Sequence, residues 1–131
     1  MALTPSADHM VSILRETVVA LVRRDGADLS ARQLGVFLTC YLRDGGHTVR
    51  GLAAELKVSK PAITRALDRL GELDLARRKV DPLGRRSVLV QRTLKGASFL
   101  RDLRAIMTEA ATTAKRTPAA HEPTQRRTAT A

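Results

Sequence analysis

Two apolar stripes of helical spacing stand almost end to end in the middle of this chain, with only Lys57 to Ala62 between them. In the first, Val49, Leu52, Ala53 and Leu56 fall at i, i+3, i+4 and i+7, the spacing that puts side chains on one face of an α-helix. Ile63, Ala66, Leu67 and Leu70 form a second such stripe. Each stripe has its own start signal. Thr48 and Ser59 are hydroxyl residues suited to cap the free amides of a first turn. Pro61 falls in the first turn of the second helix, where its missing N–H costs little. The spacing therefore predicts two short helices that meet across a tight turn.

The flanking sequence extends this unit in both directions. From His9 to Arg24, Met10, Val11, Leu14, Val18, Leu21 and Val22 recur at helical spacing until Asp25-Gly26 supplies a stop. A second helix follows Ser30, carries Leu34, Phe37, Leu38, Tyr41 and Leu42, and ends at the Gly45-Gly46 turn. After Leu73 the pattern becomes strand-like. Arg77 to Val80 and Ser87 to Gln91 flank Asp81-Pro82-Leu83-Gly84, whose residues suit successive β-turn positions, so a hairpin is expected. Helical spacing returns from Thr93 to about Lys115 through Leu94, Phe99, Leu100, Leu103, Ile106 and Met107, with Gly96 as a weak interruption. Beyond Arg116 there is no large apolar residue to offset the entropy of ordering, and residues 116–131 are expected to be a flexible tail.

Charge narrows the partners. The chain has 23 Lys and Arg against 13 Asp and Glu, a formal net charge of +10, which makes a polyanion the leading partner class. The excess is not spread evenly. By region it is 0 over residues 1–42, +7 over residues 43–96 and +3 over residues 97–131, so it is concentrated where a binding face can be built. The single cysteine, Cys40, forms no disulfide within the chain, and no early apolar run is long enough for a signal peptide or a membrane span. A cytoplasmic protein is expected, with no membrane partner. At 2% aromatic residues and no Trp, the core must come from Leu, Val, Ile and Ala, which favours helices and short strands.

Helix, turn, helix and β-hairpin in that order is the arrangement of a winged helix-turn-helix, a mainly α fold with a small β-hairpin wing. In that arrangement the helix at 59–71 enters the major groove of double-stranded DNA, and the wing at 77–91 reaches the backbone or the minor groove. Off its apolar stripe this helix carries Lys60, Thr64, Arg65, Asp68 and Arg69. Lys60, Thr64 and Arg65 lie near its amino end, where the helix dipole and spare donors favour phosphates and base edges. Arg65 is the base-reading candidate, because a bidentate Arg–guanine contact discriminates by about 1–3 kcal/mol and Lys lacks that geometry. Thr64 suits a thymine methyl. Thr48, Arg50, Ser59, Pro61, Ala62, Arg69 and Arg78 complete the expected DNA-binding set on the helices and first strand, and Arg85 and Arg86 complete it on the wing.

The run Leu52-Ala53-Ala54-Glu55-Leu56-Lys57-Val58-Ser59-Lys60-Pro61-Ala62-Ile63-Thr64-Arg65-Ala66-Leu67-Asp68-Arg69-Leu70 resembles the helix-turn-recognition helix of the MarR family of winged-helix regulators. Leu73-Asp74-Leu75-Ala76-Arg77-Arg78 resembles that family's exit from the helix, and Thr93-Leu94-Lys95-Gly96 its Leu-Thr-x-x-Gly signature after the wing. The likeness runs from about Leu29 to Gly96, roughly half the chain. It implies a homodimer on a pseudo-palindromic operator, usually as a repressor and in some members released by a small-molecule effector. It also implies a winged-helix domain at 29–96 between dimerisation helices at 1–28 and 97–115. Arg86 matches the family's wing arginine. The Asp that the family usually places two residues earlier is Gly84 here, which leaves Arg85 to share the role and Asp81 as an alternative orienter. Many members also have two long helices after the wing, and this chain has room for one before its Pro-containing tail.

Other chemistry is poorly supported. Cys40 is either a redox switch or a small buried hydrophobe, and its place among Phe37, Leu38 and Tyr41 favours the second. His9, His47 and His121 lie far apart with no metal-ligand spacing, and no catalytic triad or phosphate loop appears, so neither a metal, a cofactor nor an enzymatic activity is expected. Arg126 and Arg127 read as solvated charges of the tail. The competing reading is a winged helix used as an architectural or protein-interaction module that binds DNA without sequence preference.

Overall fold

The computed structural model describes residues 6–26, 28–80, 82–83 and 88–116, with the backbone alone at 115 and 116. Each of its helices starts on a hydroxyl side chain. Ser6 accepts from the His9 amide ahead of α1 (Ala7–Arg23), and Ser30 forms a reciprocal capping box with Gln33 ahead of α2 (Ala31–Leu42). Thr48 caps α3 (Val49–Leu56), Ser59 caps α4 (Lys60–Glu72), and Thr93 accepts from the Gly96 amide at the start of α5 (Leu94–Arg116). Such caps satisfy amides that have no partner within the helix, so the starts are fixed locally by sequence.

The residues divide into two compact units. One, of residues 26–102, holds the winged helix. Its sheet is made of β1 (His47–Thr48), β2 (Ala76–Val80) and β3 (Val88–Arg92) in the order β1-β3-β2, all antiparallel. The hairpin register pairs Ala76 with Arg92 and Val80 with Val88. Both hairpin strands were expected; β2 starts one residue earlier than expected and β3 runs one residue further, to Arg92. β1 was not: His47 read as loop, because two residues carry no periodicity, yet His47 and Thr48 pair with Val90 and Leu89. Of the expected turn, Asp81 and Gly84 lie outside the described residues, as does Ser87 at the start of the second strand.

The core of this unit is where the two stripes meet. Val36, Phe37 and Cys40 of α2, Leu52 of α3, and Ile63, Ala66, Leu67 and Leu70 of α4 are all buried. Burial of side chains this size stabilises by about 1.5–3 kcal/mol each for the larger ones. Between α3 and α4, Lys57 adopts the left-handed conformation (φ 58°) and the Val58 amide reaches back to the Ala53 carbonyl, which closes the tight turn. Leu75 and Ala76 continue the core into β2.

Gly96 departs from its sequence reading. It is buried rather than a weak point in a helix, and an added Cβ would overlap the Tyr41 hydroxyl and the Leu75 carbonyl oxygen. The Tyr41 hydroxyl donates to that carbonyl at 2.7 Å and accepts from the Thr93 amide at 2.9 Å, while Thr93 Oγ1 donates to the Asp74 carbonyl at 2.6 Å. Gly96 is therefore a close-approach glycine.

The other unit contains residues 6–25 and 103–116 among those described. Within α1 only Thr17 is buried, its hydroxyl bonded to the Ile13 carbonyl, while Met10, Val11, Leu14, Val18 and Val22 stand exposed on the apolar stripe. Leu103 and Ala110 of α5 are buried. A cavity of about 430 Å³ opens between α1 and α5, lined by Glu16, Ala20, Arg23, Ala105, Ile106, Glu109, Ala110 and Thr113. Among the described residues no helix is long and apolar enough to cross a membrane. The tail expected at 116–131 lies outside the described residues from 117 onward.

The corner at Gly96 yields a stability test. Tyr41→Phe leaves a part-buried amide and a buried carbonyl with one partner fewer and is expected to cost about 1–3 kcal/mol, read from the urea midpoint. Gly96→Ala is expected to cost at least as much, and adding Tyr41→Phe to it restores no stability, because the Leu75 carbonyl oxygen still occupies the space.

Candidate nucleic-acid interface

Burying one side of α4 decides what its other side presents. With Ile63, Ala66, Leu67 and Leu70 in the core, Lys60, Pro61, Arg65 and Asp68 are left exposed and Thr64 and Arg69 half-exposed. The expected residue that does not belong to this face is Ala62. It is 6% exposed, and its amide donates to Ser59 Oγ at 3.2 Å, so both its methyl and its N–H are used inside the fold. Ser59 itself is exposed but serves as the cap, and Thr48 is a half-buried cap inside β1. Arg50 is exposed in the first turn of α3.

The basic side chains fall into two groups. Arg43 pairs with Glu55 at 3.5 Å, Arg69 with Glu72 at 3.0 Å, Arg77 with Asp74 at 3.1 Å, and Arg78 with Asp68. Arg50, Lys60, Arg65 and Lys79 have no ion-pair partner among the described residues. A cation whose charge is not balanced by its own protein is the one that gains most from a phosphate or a guanine edge. Of the expected cations, Arg65, Lys60 and Arg50 are exposed with no such partner, whereas Arg69 and Arg78 carry internal partners that residue type alone does not reveal. Arg85 and Arg86 lie outside the described residues.

Arg92, which sequence reasoning passed over, is not a surface cation of this face. Its Nε donates to the Cys40 carbonyl at 2.9 Å and its guanidinium lies 5.6 Å from the centre of the Tyr41 ring, so it closes the carboxyl end of α2. Its place at the end of β3, opposite Ala76, is the only sequence-level clue, and it needs the register to be read. His47 Nε2 lies 2.9 Å from the Arg43 carbonyl, which can only accept, so the proton sits on that nitrogen. No cluster of three or more metal-ligating side chains exists among the described residues.

The sequence profile of the MarR family matches residues 20–87, just over half of the chain. The chain belongs to the MarR family. Solved structures of MarR-like fold superpose on it. The YusO protein of Bacillus subtilis has a TM-score of 0.65 at 21% identity over 83% of each chain. A MepR mutant from S. aureus gives 0.67 at 19% identity, over 86% of this chain and 84% of that one. MarR itself gives 0.57 at 26% identity over 83% and 74%. No curated protein sequence matches.

In this MarR-family chain the cysteine is structural. Cys40 is 2% exposed, and burial pushes its thiol up to about 11, against a smaller opposing pull from Arg92. The thiolate is the reactive form, so the thiol is held in its unreactive state. Because the folded pKa lies above the ordinary value of 9.0, the stability that comes from keeping the group neutral is complete below pH 9 and is lost as pH rises towards 11. Iodoacetamide is expected to modify Cys40 slowly in buffer at pH 8 and rapidly in urea. Between pH 8 and 10.5 the protein is expected to lose on the order of 2 kcal/mol more folding free energy than Cys40→Ala.

Proposed function

We propose that this chain is a sequence-specific regulator of transcription that binds double-stranded DNA as a homodimer, with α4 in the major groove and the wing at the minor groove. The observation that carries this reading is the pair Lys60 and Arg65, exposed and without ion-pair partners among the described residues, near the amino end of a helix whose other face is sealed into the core. Lys60 meets phosphates as a point charge, Thr64 meets a thymine methyl, and Arg65 reads guanine through two parallel hydrogen bonds. Arg50, at the first turn of α3, supports the register from the neighbouring backbone.

Dimerisation follows from α1. A helix that leaves Met10, Val11, Leu14, Val18 and Val22 exposed keeps an apolar stripe in water unless a second copy covers it. Twofold pairing then demands an operator with matching pseudo-symmetry, its half-sites spaced by about 34 Å, one turn of DNA. A dimer clamped over a promoter blocks access to it, which makes repression the direct outcome.

Two measurements test the reading. Binding to DNA upstream of its own coding region is expected to exceed binding to scrambled DNA by at least 1,000-fold at physiological salt. Equal affinities across a salt series would leave only an architectural role. Arg65→Ala is expected to erase base preference at one position of each half-site, while Lys60→Ala weakens all sequences alike and lowers the salt slope by about 0.9. In sedimentation, Leu14→Glu with Val18→Glu is expected to convert dimer to monomer and to weaken operator binding at least 10-fold.

A further inference from the structure

Two consecutive tetrads of α4 have the same charge pattern: Arg65-Ala66-Leu67-Asp68 and Arg69-Leu70-Gly71-Glu72. In each, an arginine precedes a carboxylate by three residues, a spacing at which helical side chains meet. Only the second pair is closed, with Arg69 Nη1 3.0 Å from Glu72 Oε1. The first stays open because Asp68 Oδ1 accepts instead from Nη2 of Arg78, which comes from β2. Arg65 is left with no ion-pair partner among the described residues.

We infer that Arg78 is a positioning residue for base reading: by occupying Asp68 it keeps that carboxylate from closing on Arg65. The inference rests on the reading that Arg65 contacts a base. Without Arg78, Asp68 would have one cationic neighbour at helical spacing, Arg65, and the two would pair as Arg69 and Glu72 do one turn later. A guanidinium held by an adjacent carboxylate has fewer donors for guanine O6 and N7, and the released negative charge would face the acceptors of the major groove. The Arg78 and Asp68 side chains are 38% and 49% exposed, so their pair adds little to stability and its loss leaves the fold intact. Arg78, expected from sequence to touch DNA, acts in this scheme through another residue.

The test reads base preference rather than affinity, because any change at Asp68 or Arg78 alters total charge. The position read by Arg65 is first located as the one where Arg65→Ala abolishes discrimination. At that position Arg78→Ala is expected to reduce the preference for guanine at least 5-fold, and Asp68→Asn added to Arg78→Ala is expected to restore it to within 2-fold of the native value. Asp68→Asn alone should leave the preference unchanged. Thermal unfolding of each variant controls for the fold, with Arg78→Gln as the milder replacement if Arg78→Ala melts early. If Arg78 only binds a phosphate, its removal weakens every sequence equally, lowers the salt slope by about 0.9, and gains no preference from Asp68→Asn; that result would overturn the inference while leaving the regulator reading standing. If the native protein shows no preference anywhere, the regulator reading fails first and the inference with it.

Discussion

The hydroxyl of Tyr41 is the point on which the winged-helix unit turns. It lies in the last turn of α2, donates to the carbonyl where β2 begins and accepts from the amide where β3 gives way to α5. One oxygen therefore fixes three chain segments that are far apart in sequence. Thr93 adds a second tie to the Asp74 carbonyl, and Gly96 gives the corner its closeness by having no Cβ to push the hydroxyl away. The ring is held in turn, stacked on Phe37 at 4.4 Å, with Phe99 edge-on to Phe37 at 5.2 Å. These are the chain's one Tyr and two Phe. A protein this poor in aromatic residues has placed all of them at one corner, and the rest of the core is built from smaller aliphatic groups.

That corner also sets the geometry of the candidate interface. The exit from α4 passes through Asp74, which takes a left-handed conformation (φ 58°), and the Leu75 amide reaches back to the Leu70 carbonyl at 2.8 Å. β2 starts at Ala76, directly after the carbonyl that Tyr41 holds, so the direction of the strand relative to the helix is fixed at its first residue. From there successive side chains alternate between the faces of the sheet, and Arg78 arrives beside Asp68 on α4. The link between α4 and the hairpin is thus a consequence of hydrogen bonds made by buried and part-buried groups away from the exposed face of α4.

Local chemistry made much of this fold readable from the chain alone. Thr48 and Ser59, the Lys57-Val58 turn and the stripe from Ile63 to Leu70 each act within a few residues, and they mark α3 and α4 without any tertiary information. The exposed candidates Lys60 and Arg65 follow from the same periodicity, since the residues opposite a buried stripe are the ones left outside. What was not readable depends on partners distant in sequence. β1 exists only because β3 is there to pair with it, and the role of Gly96 needs Tyr41, more than fifty residues earlier. Ala62 was misplaced for a subtler reason: the first turn of a helix next to a presumed ligand invites every residue into the site, but a position four before Ala66 shares its buried face.

Charge shows the same limit most clearly. The surplus between residues 43 and 96 points to a polyanion, yet a surplus says nothing about which side chains face it. The fold commits Arg43, Arg69, Arg77 and Arg78 to carboxylates and Arg92 to the end of α2. What distinguishes Arg65 from Arg69, four residues later on the same helix, is neither its type nor its spacing from a carboxylate. Both precede an acidic residue by three positions; the difference is that a strand beginning at the Tyr41 corner delivers Arg78 to one of those carboxylates and nothing to the other. If α4 reads DNA as proposed, its specificity depends on how the protein distributes its own counter-charges as much as on the residues that reach the groove, and that distribution is a property of the assembled sheet and helix rather than of either segment alone.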